Sequence, residues 1–107
     1  MNDLQAVVAS AADMAEAHST APALLLQAMT SLGRLSDLAN TATAGGRRPF
    51  RIPHEWSEQL SELAYLVYLL ADQTAVDVDT SVRSIAATIT AQAVQNRAAA
   101  RTADSWL

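Results

Sequence analysis

The sequence predicts an all-α fold, a bundle of four helices, from three observations. Half of the 107 residues are hydrophobic but only 5% are aromatic, and the many alanines among them favour closely packed helices over sheet. Apolar residues recur at helical spacing through four stretches of the chain. Proline and glycine mark the joints between these stretches. The length predicts a single domain over residues 1–107.

The first two helices are predicted from apolar spacing and a start signal. Asp3 to His18 carries alanine and larger apolar residues at helical spacing, which indicates a short amphipathic helix. The run Ser19–Pro22 then places a capping hydroxyl and a first-turn proline, both typical of a helix start. The apolar period of the second helix continues to about Leu38 or Asn40, where we expect it to end.

Residues 41–53 are predicted to form the one long loop. They hold two glycines, two prolines and three arginines, which suits neither a helix nor a central strand. Pro53 is expected to be the first residue of the third helix, which continues over His54–Gln73. After a break with an aspartate cap, the last helix is expected over Thr80–Arg101, as a hairpin with the third. The tail of residues 102–107 contains a tryptophan that is expected to pack back onto the bundle.

Composition and charge exclude several classes of function. The absence of cysteine rules out disulfides, thiolate catalysis and cysteine-ligated metals. A formal net charge of -4 without a long basic stripe argues against a duplex nucleic acid partner. The longest apolar run, Leu63–Ala71, is about half of a membrane span, and no apolar signal core follows the acidic first residues. We therefore expect a cytoplasmic protein without a membrane partner, and its small core favours a homodimer or a dimer of dimers.

An acidic stripe follows one side of the predicted third helix. Glu55, Glu58, Glu62 and Asp72 fall within an arc of roughly 100°. Carboxylates stacked in this way repel one another unless a cation lies between them, and Mg²⁺ prefers such oxygen ligands. A solvated helix face produces the same stripe, so the spacing leaves both interpretations open.

Three segments carry the motifs of one known family. Glu58–Val82 has an acidic start, an apolar run, Ala-Asp and a hinge; Leu24–Ala39 is a second apolar helix; and Asn96 is followed by Arg101. These segments resemble the third helix and hinge, the second helix and the nucleotide-closing Asn-x-x-Arg region of the MazG-like nucleotide pyrophosphohydrolases. The resemblance implies a four-helix bundle completed by oligomerisation. It also implies Mg²⁺-dependent hydrolysis of a nucleoside triphosphate to a monophosphate and pyrophosphate.

The chain departs from the family at the positions that hold the metal. Family members use a Glu-Glu-x-x-Glu motif on the second helix and a Glu-x-x-Asp motif on the third helix to hold magnesium. Here the first motif falls on Thr30, Ser31 and Arg34, and the second falls on Gln59 and Glu62. Because Glu62 alone keeps a carboxylate, a typical family site cannot be built from these residues.

The candidate site residues follow from this resemblance. Glu58 and Glu62 are the candidate Mg²⁺ ligands, and Arg34, Asn96 and Arg101 are the candidate nucleotide-binding residues; no catalytic base is assigned. Arg34 has two interpretations. It either clamps phosphate directly or forms a salt bridge with Glu58 or Glu62 that replaces the metal structurally.

Two functions stay open at this point, and a helical module unrelated to the family is a third option. The first is a divergent pyrophosphohydrolase with Glu58 and Glu62 as the metal ligands and Asn96 on the nucleotide; Asp37 and Glu55 are further candidates for holding a shifted metal. The second is a catalytically inactive module for oligomerisation or for nucleotide-dependent regulation. The Gly45–Arg51 stretch is either an anion-binding loop or a solvated linker.

Overall fold

The computed structural model describes residues 3–15 and 19–104, and its regular elements are all helices, with no strand in those ranges. Its helices are α1 (Asp3–Ala15), α2 (Ala21–Ala42), α3 (Trp56–Gln73) and α4 (Val78–Asp104). The prediction of an all-α fold with four helices is confirmed. The described residues divide into two compact units, 3–76 with α1 to α3 and 77–104 with α4. No helix in the described part of the chain is long and apolar enough to cross a membrane.

α3 is the central helix of the first unit, because both α1 and α2 pack against it. Four buried side chains form the core cluster of this unit: Val8, Ala12, Leu24 and Leu69. The Gln5 side chain also donates a hydrogen bond to the Val76 carbonyl (2.8 Å), which ties α1 to the segment after α3. The core is small for a chain that is half hydrophobic, so much apolar surface remains outside it.

The start of α2 confirms the predicted cap, and its end corrects the predicted loop. The Thr20 hydroxyl accepts from the Ala23 amide (3.4 Å), with Pro22 in the first turn. The helix continues to Ala42, so the first two residues of the predicted 41–53 loop are helical. The reason is a local cap, in which the Thr43 hydroxyl donates to the Ala39 carbonyl (2.8 Å) and holds the last turn together.

A tight left-handed turn follows α2. Ala44, Gly45 and Gly46 have φ values of 48°, 70° and 90°, a region that glycine enters at little cost. The Gly45 amide donates to the Asn40 carbonyl (2.9 Å), and the Gly46 amide donates to the Thr43 hydroxyl (3.1 Å). These bonds satisfy backbone groups at the helix end, which is why the helix stops here.

The prediction that Pro53 opens the third helix is wrong. α3 begins at Trp56, and residues 54 and 55 form a turn in which the Trp56 amide donates to the Pro53 carbonyl (3.1 Å). The Phe50 ring meets the Trp56 ring edge to face, with 5.2 Å between centroids. This aromatic pair positions the loop against the first residue of α3.

α4 is longer at both ends than the sequence predicted. It starts at Val78 because Asp77 caps it, as the predicted aspartate cap requires: the Thr80 amide (3.2 Å) and the Thr80 hydroxyl (2.9 Å) both donate to the Asp77 carboxylate. Two residues of the sequence analysis, His18 and Trp106, lie outside the described residues. The hairpin of the third and fourth helices stays a prediction.

Replacing Asp77 by alanine is expected to fray the start of α4. The hydrogen bonds from the Thr80 backbone and side chain hold the pKa of Asp77 below its ordinary value of 3.8. Because the folded pKa is depressed, this stabilisation is present above the unfolded pKa and is lost as the pH falls through the folded pKa. Circular dichroism should show less helix in Asp77→Ala than in wild type at pH 7, and the two should converge in acid.

Asp77→Asn is the matched control for this cap. Its amide oxygen still accepts from the Thr80 backbone, so most of the helix should remain at pH 7. The acid-dependent loss should shrink because the amide does not titrate. Equal helicity of Asp77→Ala and wild type at pH 7 would contradict a role for the cap.

Candidate functional site

A groove between α2 and α3 collects polar side chains. Its first pocket, of about 340 Å³, is lined by residues of both helices: Gln27, Thr30, Ser31, Arg34, Glu62, Tyr65 and Leu66. The α2 residues are three or four positions apart, which places them on one face of the helix. The pocket therefore follows from the pairing of these two helix faces.

A second pocket continues the groove toward the end of α2. It measures about 280 Å³ and is lined by Arg34, Asp37, Leu38, Thr41, Glu55 and Gln59. Arg34 lines both pockets, so the two adjoin at this residue along one groove. The first pocket offers hydroxyls, the Gln27 amide and one carboxylate, Glu62, and the second offers two carboxylates, Asp37 and Glu55.

Arg34 is an exposed cation without an ion-pair partner among the described residues. Neither Glu58 nor Glu62 lies within the 4.0 Å that defines an ion pair with it. The expected salt bridge from Arg34 to Glu58 or Glu62 is therefore wrong. All three side chains are exposed, and in water an ion pair gains too little to hold two long side chains in one geometry.

Two polar groups in the groove have unused hydrogen-bonding capacity. Ser31 is buried, at 4% exposure, and its hydroxyl makes no hydrogen bond to the other described residues. The Gln59 side-chain oxygen is buried without a partner. Thr30 differs, because its hydroxyl already donates to the Leu26 carbonyl (3.1 Å). Buried polar groups normally find partners, and among the described residues the Gln59 oxygen is the buried side-chain atom that has none.

The donor set of the groove does not fit a magnesium pair. The first pocket holds one carboxylate, Glu62, and the Arg34 guanidinium lines the same pocket. Within residues 3–15 and 19–104, no group of three or more histidine or acidic side chains is placed to hold a metal ion. Glu58 is exposed on α3 and is not among the residues that line either pocket. Mg²⁺ needs several anionic oxygens and is repelled by an adjacent cation.

The remaining predicted site residues lie on α4, in the second unit. Asn96 and Arg101 are both exposed, and the Gln92 side chain donates to the Asn96 oxygen (3.4 Å). Their assignment to a nucleotide stays a prediction. The three loop arginines, Arg47, Arg48 and Arg51, are also exposed.

The sequence analysis missed part of the groove wall. Gln27 lies two turns before Arg34 and Thr41 two turns after it on the same face of α2. Their seven-residue spacing from Arg34 was the signal that could have found them. The buried, unpartnered state of the Gln59 oxygen depends on how α2 and α3 pack, and no spacing rule indicates it.

The chain was compared with family models, curated proteins and solved structures. No family model matches the chain, and no curated protein or solved structure matches it either. Membership of the MazG-like family stays a prediction from the quoted residues.

Proposed function

We propose that the chain is a cytoplasmic helical module that binds a nucleotide through its phosphates and does not hydrolyse it. Arg34 carries this proposal, because it is exposed, lines both pockets and has no carboxylate partner among the described residues. A guanidinium presents several N–H donors in a plane and suits phosphate oxygens. Because no carboxylate of the described residues pairs with Arg34, its N–H groups are available to donate charge-assisted hydrogen bonds to a phosphate.

The groove provides a place for each part of a nucleotide. In the first pocket, the Ser31 hydroxyl and the Gln27 amide are neutral donors on the same helix face as Arg34. In the second pocket, Asp37 and Glu55 are acceptors that suit sugar hydroxyls and repel phosphate. Because the first pocket has one carboxylate, Glu62, and the second has two, the phosphates are favoured in the first pocket and the nucleoside in the second.

The same donors argue against catalysis. Metal-assisted hydrolysis requires an ion that generates the nucleophile and stabilises the charge on the phosphoryl oxygens. Glu62 is the one carboxylate of the first pocket, and Arg34 opposes a cation there. The groove therefore supports binding better than turnover.

A second candidate function is that of a divergent MazG-like pyrophosphohydrolase, which cleaves a nucleoside triphosphate to a monophosphate and pyrophosphate. One observation favours it: Thr30, Ser31, Arg34 and Glu62, which stand at the family's metal-binding positions, line one pocket. In this case the groove would retain the site of the family with altered ligands.

We also propose that the module self-associates, as a homodimer or a dimer of dimers. Four large apolar side chains of α2 are more than half exposed: Leu25, Leu26, Met29 and Leu32. Apolar surface of this extent is rare on monomers and typical of contact surfaces.

Calorimetric titration with ATP in EDTA tests the binding proposal. Wild type should bind without metal, and Arg34→Gln should weaken the affinity about tenfold or more, the effect of losing a charge-assisted contact. Arg51→Gln is the matched control, because it removes the same charge from an exposed loop. An equal loss in both variants would indicate general charge attraction and contradict the site.

Product analysis separates the two functions. Purified protein is incubated with nucleoside and deoxynucleoside triphosphates and Mg²⁺ or Mn²⁺, and the nucleotides are separated. Metal-dependent release of monophosphate and pyrophosphate would overturn the inactive module and favour the hydrolase. If the protein neither binds nor hydrolyses the nucleotides, both candidate functions are overturned.

A further inference from the structure

Taken by itself, the second unit of the described residues is the single helix α4, and no other element of that unit covers its apolar face. Val82, Ile85 and Ile89 are 55%, 60% and 64% exposed, and every residue of the range 80–102 is exposed. A single amphipathic helix is marginally stable in water, because most helical stability in proteins comes from packing of the apolar face. The length of α4, 27 residues, therefore calls for a partner along this face.

The spacing of the face indicates that the partner is another helix. Its residues alternate in steps of four and three: Val78, Val82, Ile85, Ile89, Gln92, Asn96 and Ala99. This narrow heptad seam is typical of a coiled coil and differs from the broader stripe of a helix that covers a globular core. Polar residues such as Gln92 and Asn96 within a seam restrict the partner and the register.

We infer that α4 pairs with α4 of a second copy of this chain as an antiparallel two-stranded coiled coil. The charges of α4 are the reason. Asp79 and Arg97 are 18 residues apart, about five full turns, so they lie on the same flank of the seam near opposite ends. In an antiparallel pair equal flanks face each other, so Asp79 of each copy faces Arg97 of the other.

The seam also selects a register. Ile85 opposite Ile89 of the second copy puts the largest apolar residues at the two-fold axis. The same register sets Val82 opposite Gln92 and leaves Asp79 and Arg97 of the other copy about 3 Å apart along the axis. In a parallel pair, the side of the seam that carries Asp79 and Arg97 would face the other side of the second helix, which carries the neutral residues Ser81 and Gln95. Both ion pairs between the copies would then be lost. Asp79 also pairs with Arg83 of its own helix (2.8 Å).

This inference rests on the proposed self-association and is independent of nucleotide binding. Sedimentation analysis tests it with two variants that add the same charge to opposite faces of α4. Ile85→Asp lies in the seam and should halve the mass, with a dimer dissociation constant raised tenfold or more. Ala87→Asp lies about 160° away from it around the helix and should leave the mass unchanged.

Disulfide trapping tests the orientation, because the chain has no cysteine of its own. Ile85→Cys and Ile89→Cys are prepared separately, one with a size tag, then mixed and oxidised. The antiparallel register brings position 85 against position 89, so the mixed dimer should dominate and each variant alone should cross-link poorly. The distance limits of a disulfide make this readout selective.

Each outcome decides the inference. A monomeric wild type overturns both the self-association and the pairing of α4. If wild type is a dimer and Ile85→Asp has the same mass, the interface lies elsewhere. This result overturns the pairing of α4 but not the self-association. Efficient cross-linking of Ile85→Cys with itself overturns the antiparallel orientation. The mixed disulfide dimer, together with halving of the mass in Ile85→Asp, supports the inference.

Discussion

Leu24→Ala is expected to lower the free energy of unfolding by about 2–4 kcal/mol. Leu24 is 2% exposed and is the largest fully buried side chain among the described residues. It joins α2 to the core cluster that contains Val8 and Leu69, so truncation leaves a cavity on which three helices converge. A domain of this size is stable by about 5–15 kcal/mol in total, so the loss is a large fraction.

Leu26→Ala on the same helix is the matched control. It removes the same atoms from a side chain that is 65% exposed, and the expected change is within about 0.5 kcal/mol. Urea unfolding of both variants should be measured at several protein concentrations. If Leu26 lies at a contact between copies, its cost will rise with concentration, whereas that of Leu24 will not. Equal costs at low concentration would contradict the core assignment.

The existence and order of the helices could be predicted from the sequence, but their ends could not. Periodicity depends on many residues and locates a helix body, whereas an end depends on one or two hydrogen bonds. At α2, the Thr43 hydroxyl extends the helix beyond the predicted end. At α3, the turn from Pro53 to Trp56 delays the start. The Thr43 bond has no signature that separates it from the many other serines and threonines of the chain, and the Trp56 amide bond is made by the backbone and depends on no side-chain type.

The candidate site was predictable in its positions and not in its interactions. The resemblance placed Thr30, Ser31, Arg34 and Glu62 together, and the structure places them around one pocket. The salt bridge expected from Arg34 is not formed, because exposed side chains are governed by hydration and rotamer freedom rather than by proximity along the sequence. Of the two interpretations of Arg34, the structure contradicts the structural salt bridge, and phosphate binding stays a proposal.

Glu62→Gln is expected to raise the affinity for ATP about three- to tenfold, on the order of 1 kcal/mol. The Glu62 carboxylate lines the same pocket as Arg34 and repels a phosphate held there. An amide removes this repulsion and adds an N–H donor of nearly the same shape. Titration in EDTA measures the change directly, because no metal ion then bridges the carboxylate and the nucleotide.

Glu58→Gln is the control for charge alone, since Glu58 is exposed one turn earlier on α3 and is not among the residues lining the pocket. Its effect on affinity should stay within about twofold, because solvent screens a charge at that distance. If the chain is a hydrolase, Glu62→Gln should instead abolish metal-dependent turnover, because it removes the one carboxylate retained at the family's metal-binding positions. Weaker ATP binding by Glu62→Gln in EDTA would contradict phosphate binding at Arg34. Stronger binding would support phosphate binding at Arg34.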